Sequence, residues 1–321
     1  MSTATRVPET WELTGDDARE TLMRTGRTRL VVDAYKRFRY ADGFSHARSL
    51  AYAVNLVLVQ GLIALVGFAA AFGNLEVSRT IVDTIQTAMP GLAGELLTDA
   101  VKQAREVGSN DRYLALTLGL IGTVITGATA LGQIERALNR LYGVERDRPT
   151  LEKYGRALLL AVTAGFLFVV AFVLLAFGRD IGSDGGSLHS FWVIVRWPVG
   201  LALAGLALAG LLQHSPRRHQ PHISWLAFGA GIGVVLWAGV TLTFGVMFNA
   251  SSSFGDTYGP LAGIVALQLW AFFSAVAILY GAAVAAQLEA VRAGVPQPAE
   301  PDPEEHREAS GRVVAPDAQP S

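Results

Sequence analysis

From Pro260 to Leu288 the chain carries no Asp, Glu, Lys, Arg or His. Crossing the hydrocarbon core of a bilayer takes about 20 such residues at ~1.5 Å of rise each. This run exceeds that, which leaves room for tilt or for its last turns to emerge into water. Buried helices of soluble proteins are usually shorter. It opens with Tyr258-Gly259-Pro260, and proline at a helix start forfeits no hydrogen bond because its N–H would be orphaned there anyway. Gly259 and Gly263 form a small-xxx-small pair that lets a neighbouring helix approach. The stretch reads as a membrane span.

Five further apolar runs precede it, at about 50–72, 113–133, 157–178, 191–212 and 223–248. Hydrophobic residues at 51% against 17% charged would also suit soluble domains, but the blocked distribution does not. The first run contains Asn55 and Gln60, and Gln133 closes the second. Gly119, Gly122 and several threonines in the second, and Gly229 with Gly233 in the fifth, predict close helix packing. Arg196 stands near the start of the fourth run, close enough to the boundary to snorkel outward. Between the first two runs, residues 73–112 show helical periodicity on either side of Pro90-Gly91 but carry too much charge to span. The predicted fold is therefore all-α: a polytopic membrane bundle of six transmembrane helices, with amphipathic interfacial helices between spans 1 and 2.

Charge predicts its orientation. Loops on one side hold nine, six and two basic residues; the facing loops hold four, one and none. The positive-inside rule places the first set, with both termini, in the cytoplasm. Three regions follow: a basic amphipathic N-terminal region (1–49), a six-span domain (50–290), and a Pro-rich tail (291–321) expected to be disordered. The N-terminal region interleaves Arg27, Arg29, Lys36, Arg37 and Arg39 with Leu30, Val31, Val32, Tyr35, Phe38 and Tyr40. It is expected to lie along an anionic membrane face. The same composition would suit nucleic acid, but basic flanks beside a span are mostly topology signals, so no nucleic-acid partner is expected. No cleavable signal peptide is apparent, and the first span is expected to serve as the insertion signal.

Several stretches carry a family resemblance: TYGPLAGIVALQLWAFFSAVAILYGA at 257–282, DGFSHARSLAY at 42–52, NRLYGVERDRPTLEKYGRALLLA at 139–161 and RRHQPHISWLAFGAGIGVVLW at 217–237. Together they resemble the YihY/BrkB family of bacterial envelope-integrity membrane proteins, formerly labelled ribonuclease BN-like, over roughly residues 40 to 290. The resemblance implies the membrane bundle and an envelope role, but no established activity. Members often end the last span with a pattern like GAELNAELE. Here the acidic positions inside that motif are Ala283 and Gln287, and only Glu289 remains.

The ribonuclease label needs metal ligands. No two of the six histidines form an H-x-H-x-D arrangement, and His214, His219 and His222 share a loop with no nearby carboxylate. There is no cysteine, no P-loop and no G-x-S-x-G elbow, so no enzyme, metal or cofactor is expected. The expected partners are membrane lipids with anionic headgroups on the cytoplasmic face, met by Arg48, Arg136, Arg140, Arg146, Arg148, Arg217 and Arg218. One reading makes the chain a transporter of a lipid-like envelope component, whose path would use Asn55, Gln60, Gln133, Gln268, Gln287 and Glu289. The other makes it a structural envelope protein in which those polar residues only link helices. With no Asp, Glu, Lys or His in the predicted spans, proton coupling through a span carboxylate is not expected.

Overall fold

The computed structural model describes residues 4–71, 94–99, 101–102, 112–177, 187–250 and 260–299. Over these residues the regular structure is helical, apart from a lone β-bridge between Ala4 and Ala299. Two short helices come first, α1 (Gly15–Thr25) and α2 (Arg27–Tyr40). Six long ones follow: α3 (Gly43–Ala71), α4 (Arg112–Leu141), α5 (Thr150–Phe177), α6 (Ser187–His214), α7 (Ile223–Ala250) and α8 (Pro260–Arg292). Among the described residues four helices are long and apolar enough to cross a membrane: α4, α6, α7 and α8. At 29 and 28 residues, α3 and α5 match them in length.

Local chemistry sets the breaks. Asp17 accepts from both the N–H and the hydroxyl of Thr14 at 2.9 Å, fixing the start of α1. Gly26, at φ 84, separates α1 from α2. Asp42 takes φ 54, a left-handed conformation that a short polar side chain tolerates, and its carbonyl accepts the first N–H groups of α3 from Ser45 and His46.

Glycines set how closely the long helices approach. A Cβ at Gly119 of α4 would lie 2.5 Å from the Ala64 nitrogen of α3. A Cβ at Gly281 of α8 would lie 2.5 Å from the Gly229 carbonyl and 2.7 Å from the Gly233 nitrogen of α7. Backbone therefore meets backbone at both crossings, as the Gly229–Gly233 spacing predicted.

The α2–α3 junction, the 142–149 and 215–222 turns and the end of α8 all gather at one end of the bundle, which we term the capped end. There α1 and α2 pack against α8, and α1 also meets α7. Every residue from Gly281 to Ala290 is buried, so the last turns of α8 are enclosed on all sides. The N-terminal region is thus two helices, and its apolar residues divide between two faces. Leu30, Ala34 and Phe38 are buried in the core, whereas Val31, Val32, Tyr35 and Tyr40 stay 46–52% exposed.

Two expectations fall largely outside the described residues. Of the interfacial helices at 73–112, residues 94–99 are helical, and Leu97 and Val101 pack in one cluster with Phe244 and Trp270. Of the Pro-rich tail, the first residues are bonded to the protein: Val295 N–H donates to the Ala290 carbonyl at 2.9 Å, and Thr5 N–H to the Pro298 carbonyl at 3.2 Å. Residues 300–321 lie outside the description.

Candidate functional site: a buried polar node at the capped end

At 100° per residue, Gln287 and Glu289 stand roughly 200° apart around α8. Both are fully buried, so each must meet a different neighbour. On one flank α2 supplies Arg37, itself 0% exposed. Its Nε donates to Gln287 Oε1 at 2.7 Å, and its Nη1 to the carbonyls of Thr5 and Leu141 at 2.9 and 3.1 Å. Burial lowers this guanidinium to about 10, opposed by neighbouring Tyr142 and by the Glu289 carboxylate, so Arg37 remains a cation at neutral pH. Gln287 spends its amide on the Pro296 carbonyl at 2.7 Å, tying in the chain beyond α8.

On the other flank the 215–222 turn supplies Arg218. It grips Glu289 with two nitrogens, Nη2 to Oε1 at 2.5 Å and Nη1 to Oε2 at 3.1 Å, while the Thr10 hydroxyl donates to Oε1 at 2.6 Å. This is the bidentate geometry that a planar guanidinium favours. Arg218 also donates to the Pro8 carbonyl at 3.0 Å and stacks 4.4 Å over the Tyr142 ring. Tyr142 is buried, and desolvation raises its phenol well above the ordinary tyrosine value.

A second cluster fastens the two turns together. Asp147 accepts from Asn139 at 3.0 Å and pairs with Arg136 at 3.2 Å and Lys153 at 3.5 Å. Burial works to raise its carboxyl, but the Asn139 bond and the three cations Lys153, Arg136 and Arg140 outweigh it and hold the group below its ordinary value. Asn139 Oδ1 accepts the Arg217 N–H at 2.8 Å. Arg148 pairs with Glu135 at 3.3 Å and donates to the carbonyls of Ser215 and Pro216 at 2.6 and 2.7 Å.

These contacts redistribute the predicted residues. Arg148 and Arg218, expected at headgroups, have side chains 6% and 1% exposed and are committed to internal partners. Arg140 bonds the Val144 and Glu145 carbonyls, Arg136 holds Asp147, and Arg48, Arg146 and Arg217 are exposed. Of the expected path, Gln287 and Glu289 belong to the buried node. Asn55 of α3 donates to Gln268 of α8 at 2.5 Å, Gln60 sits against Gly122, and Gln133 is half-buried. The three loop histidines find separate partners: His214 the Gly210 carbonyl, His219 Glu9, and His222 Ser224. Among the described residues no group of three His, Asp or Glu could hold a metal ion.

Sequence reasoning missed Arg37 and Tyr142 as members of the node and Asn139 as a member of the second cluster. For Arg37 a signal existed, because residues 30, 34, 37 and 38 share one helical face and the other three are apolar.

Relatives match most of the sequence. YfkH of Bacillus subtilis, named as ribonuclease-like, is 26% identical over 80% of this chain and 94% of its own. A UPF0761 membrane protein of Rhodospirillum rubrum is 29% identical over 75% of this chain, and one of Xanthomonas oryzae pv. oryzae 26% over 80%. The matched part spans only 54% and 60% of those two relatives. No solved structure matches the chain. The family model described as Virulence factor BrkB matches residues 34–307, which takes in the node from Arg37 to Glu289, and this chain is a membrane protein of that family.

Proposed function

We propose that the chain is a six-span protein of a bacterial inner membrane, with the capped end in the cytoplasm, that engages anionic lipid headgroups and supports envelope integrity without covalent chemistry of its own. The observation that carries this reading is the outward face of α2. Val31, Val32, Tyr35 and Tyr40 stand exposed there among Arg27, Arg29, Lys36 and Arg39. Arg29 and Lys36 share Asp33 at 3.6 and 3.9 Å, whereas Arg27 and Arg39 have no carboxylate partner among the described residues. Exposed apolar and aromatic groups interleaved with unbalanced cations suit an anionic interface, at up to ~1 kcal/mol per charge. In the test, the full chain is taken into nanodiscs of mixed phosphatidylglycerol and phosphatidylcholine, and retained lipid is read by native mass spectrometry. Wild type should keep phosphatidylglycerol selectively, and replacing the four cations with Gln should abolish the preference. Equal retention of both lipids by wild type would defeat the reading.

A second reading, movement of a lipid-like amphiphile, draws on a neutral polar stripe. Asn55 and Gln60 of α3, Thr123 and Thr126 of α4, and Gln268 of α8 are half-buried, and Asn55 Oδ1 is buried without a hydrogen-bond partner. Because none of these groups titrates, movement should be indifferent to an imposed pH gradient. A proteoliposome assay with fluorescent phospholipid, using Asn55→Leu with Gln268→Leu, separates the two. Movement lost in the double variant favours transport, and no movement by wild type favours the structural role.

A further inference from the structure

We infer that the capped end contains a site for a phosphate group, formed by Arg6 and Arg217 in the pocket between the N-terminal segment and the 142–149 and 215–222 turns. The inference rests on the headgroup reading above and gives it a location. The pocket is an open cleft of about 310 Å³. That is far more than a single water needs, and leaves room for a phosphate group. Val7, Pro8 and Val144 add apolar wall beside the arginines.

The segment carrying Arg6 is pinned on both sides. Thr5 N–H donates to the Pro298 carbonyl at 3.2 Å and Val7 N–H to the Tyr142 carbonyl at 3.1 Å. Gly143, at φ 70, admits this segment so closely that a Cβ there would lie 2.6 Å from the Arg6 Cα. Val7 is 2% exposed and anchors the segment, while Arg6 beside it is exposed.

Charge in the pocket is left unbalanced. Arg218 is neutralised by its fork on Glu289, although its buried Nε has no partner. Arg217 donates Nη1 to a neutral acceptor, the Asp147 carbonyl, at 2.9 Å, which orients the guanidinium while leaving most of its donors unspent. Arg6 forms no ion pair among the described residues. The one acid in the lining, Glu9, meets the His219 ring at 3.1 Å, a contact that is an ion pair only when the imidazole is protonated, so Glu9 offsets one of the two remaining arginines. Neither Arg6 nor Arg217 is paired with a carboxylate among the described residues, and the pocket keeps a net positive charge, which suits a tetrahedral anion whose several oxygens can be shared between two planar forks.

The test uses the full chain with Arg6→Gln, Arg217→Gln and the pair, with Arg6→Lys/Arg217→Lys as the charge-conserving control. The probes are inorganic phosphate at fixed ionic strength, read by equilibrium dialysis, and phosphatidic acid in phosphatidylcholine nanodiscs, read by native mass spectrometry. Wild type should bind phosphate saturably, with affinity falling roughly fivefold per charge removed and roughly twenty-five-fold for the pair. The Lys control should recover part of it. Phosphatidic acid competing with phosphate identifies a lipid headgroup as the source. Phosphate binding without such competition identifies a soluble phosphate, keeping the site but detaching it from the headgroup reading. Absence of saturable binding of either probe, or an unchanged affinity in the pair, overturns the inference, and selective phosphatidylglycerol retention through α2 would survive that result. Should the pair fail to fold, Arg6→Gln alone decides, since it removes no side-chain hydrogen bond among the described residues.

Discussion

The fork between Arg218 and Glu289 permits a sharp test of what holds the capped end together. Glu289→Gln keeps the shape of the side chain and removes its charge. One amide oxygen can still accept from Arg218, but the amide nitrogen then faces a guanidinium donor, and the Thr10 hydroxyl competes for the remaining acceptor. Both side chains are 1% exposed or less, so Arg218 becomes a largely buried cation without a counter-ion. Breaking a buried pair from one side costs about 3–5 kcal/mol. With ~2–4 °C of midpoint shift per kcal/mol for chains of ~150–250 residues, Tm should fall by roughly 6–20 °C. The assay is thermal unfolding in detergent followed by tryptophan fluorescence, with Arg218→Met/Glu289→Leu beside the single variant. Replacing both charges with apolar groups removes the unpaired cation, so the double variant should regain at least half of the loss. A deficit near that of an exposed pair, below about 1 kcal/mol, would refute the argument. So would a double variant less stable than the single.

Gly281→Ala should destabilise by about 1–3 kcal/mol, because its Cβ would meet the backbone of Gly229 and Gly233, which cannot swing aside. Gly127→Ala, which meets nothing within 4 Å, should be tolerated in the same thermal assay. Asp147→Asn should cost about 1–2 kcal/mol at neutral pH through its lost charged hydrogen bonds. Since the folded carboxyl titrates below its ordinary value, this contribution is complete above about pH 4 and disappears as pH falls through the folded value. Wild type should therefore lose its advantage over the variant in acid, and an advantage constant with pH would contradict the assignment. Reporter fusions after residues 148, 218 and 300 should read as cytoplasmic and those after 95, 184 and 253 as external; an internal signal at 95 would overturn the six-span orientation.

How far the sequence could be read varies between features for physical reasons. Apolar runs mark the long helices because hydropathy and rise per residue are local properties, and the Gly229–Gly233 spacing marked a crossing because small residues act where they stand. The node is different. Arg37 and Gln287 are 250 positions apart, and nothing near either one reveals the other. A guanidinium in a polar turn is ordinarily solvated, which is why Arg148 and Arg218 were expected at headgroups. Their burial depends on carbonyls at 215 and 216 and on Glu289, partners supplied only by tertiary contact. In the sequence Glu289 stands just past the end of the apolar run. The structure continues α8 to Arg292 and wraps its last turns in segments drawn from both ends of the chain.

That wrapping imposes an order on biosynthesis. Arg37 is made early, yet its side-chain acceptor at Gln287 emerges 250 residues later. At ~5–20 residues per second, the interval is roughly 12–50 s. Throughout it α2 exists without the helix it packs on, and Arg218 exists without Glu289. The capped end is therefore the last part of the molecule able to close, whatever the state of the helices already inserted. A ribosome that stops short of Gln287 leaves two orphaned cations and an uncovered apolar face at that end, a chemical difference by which proteases and chaperones could tell an unfinished chain from a finished one.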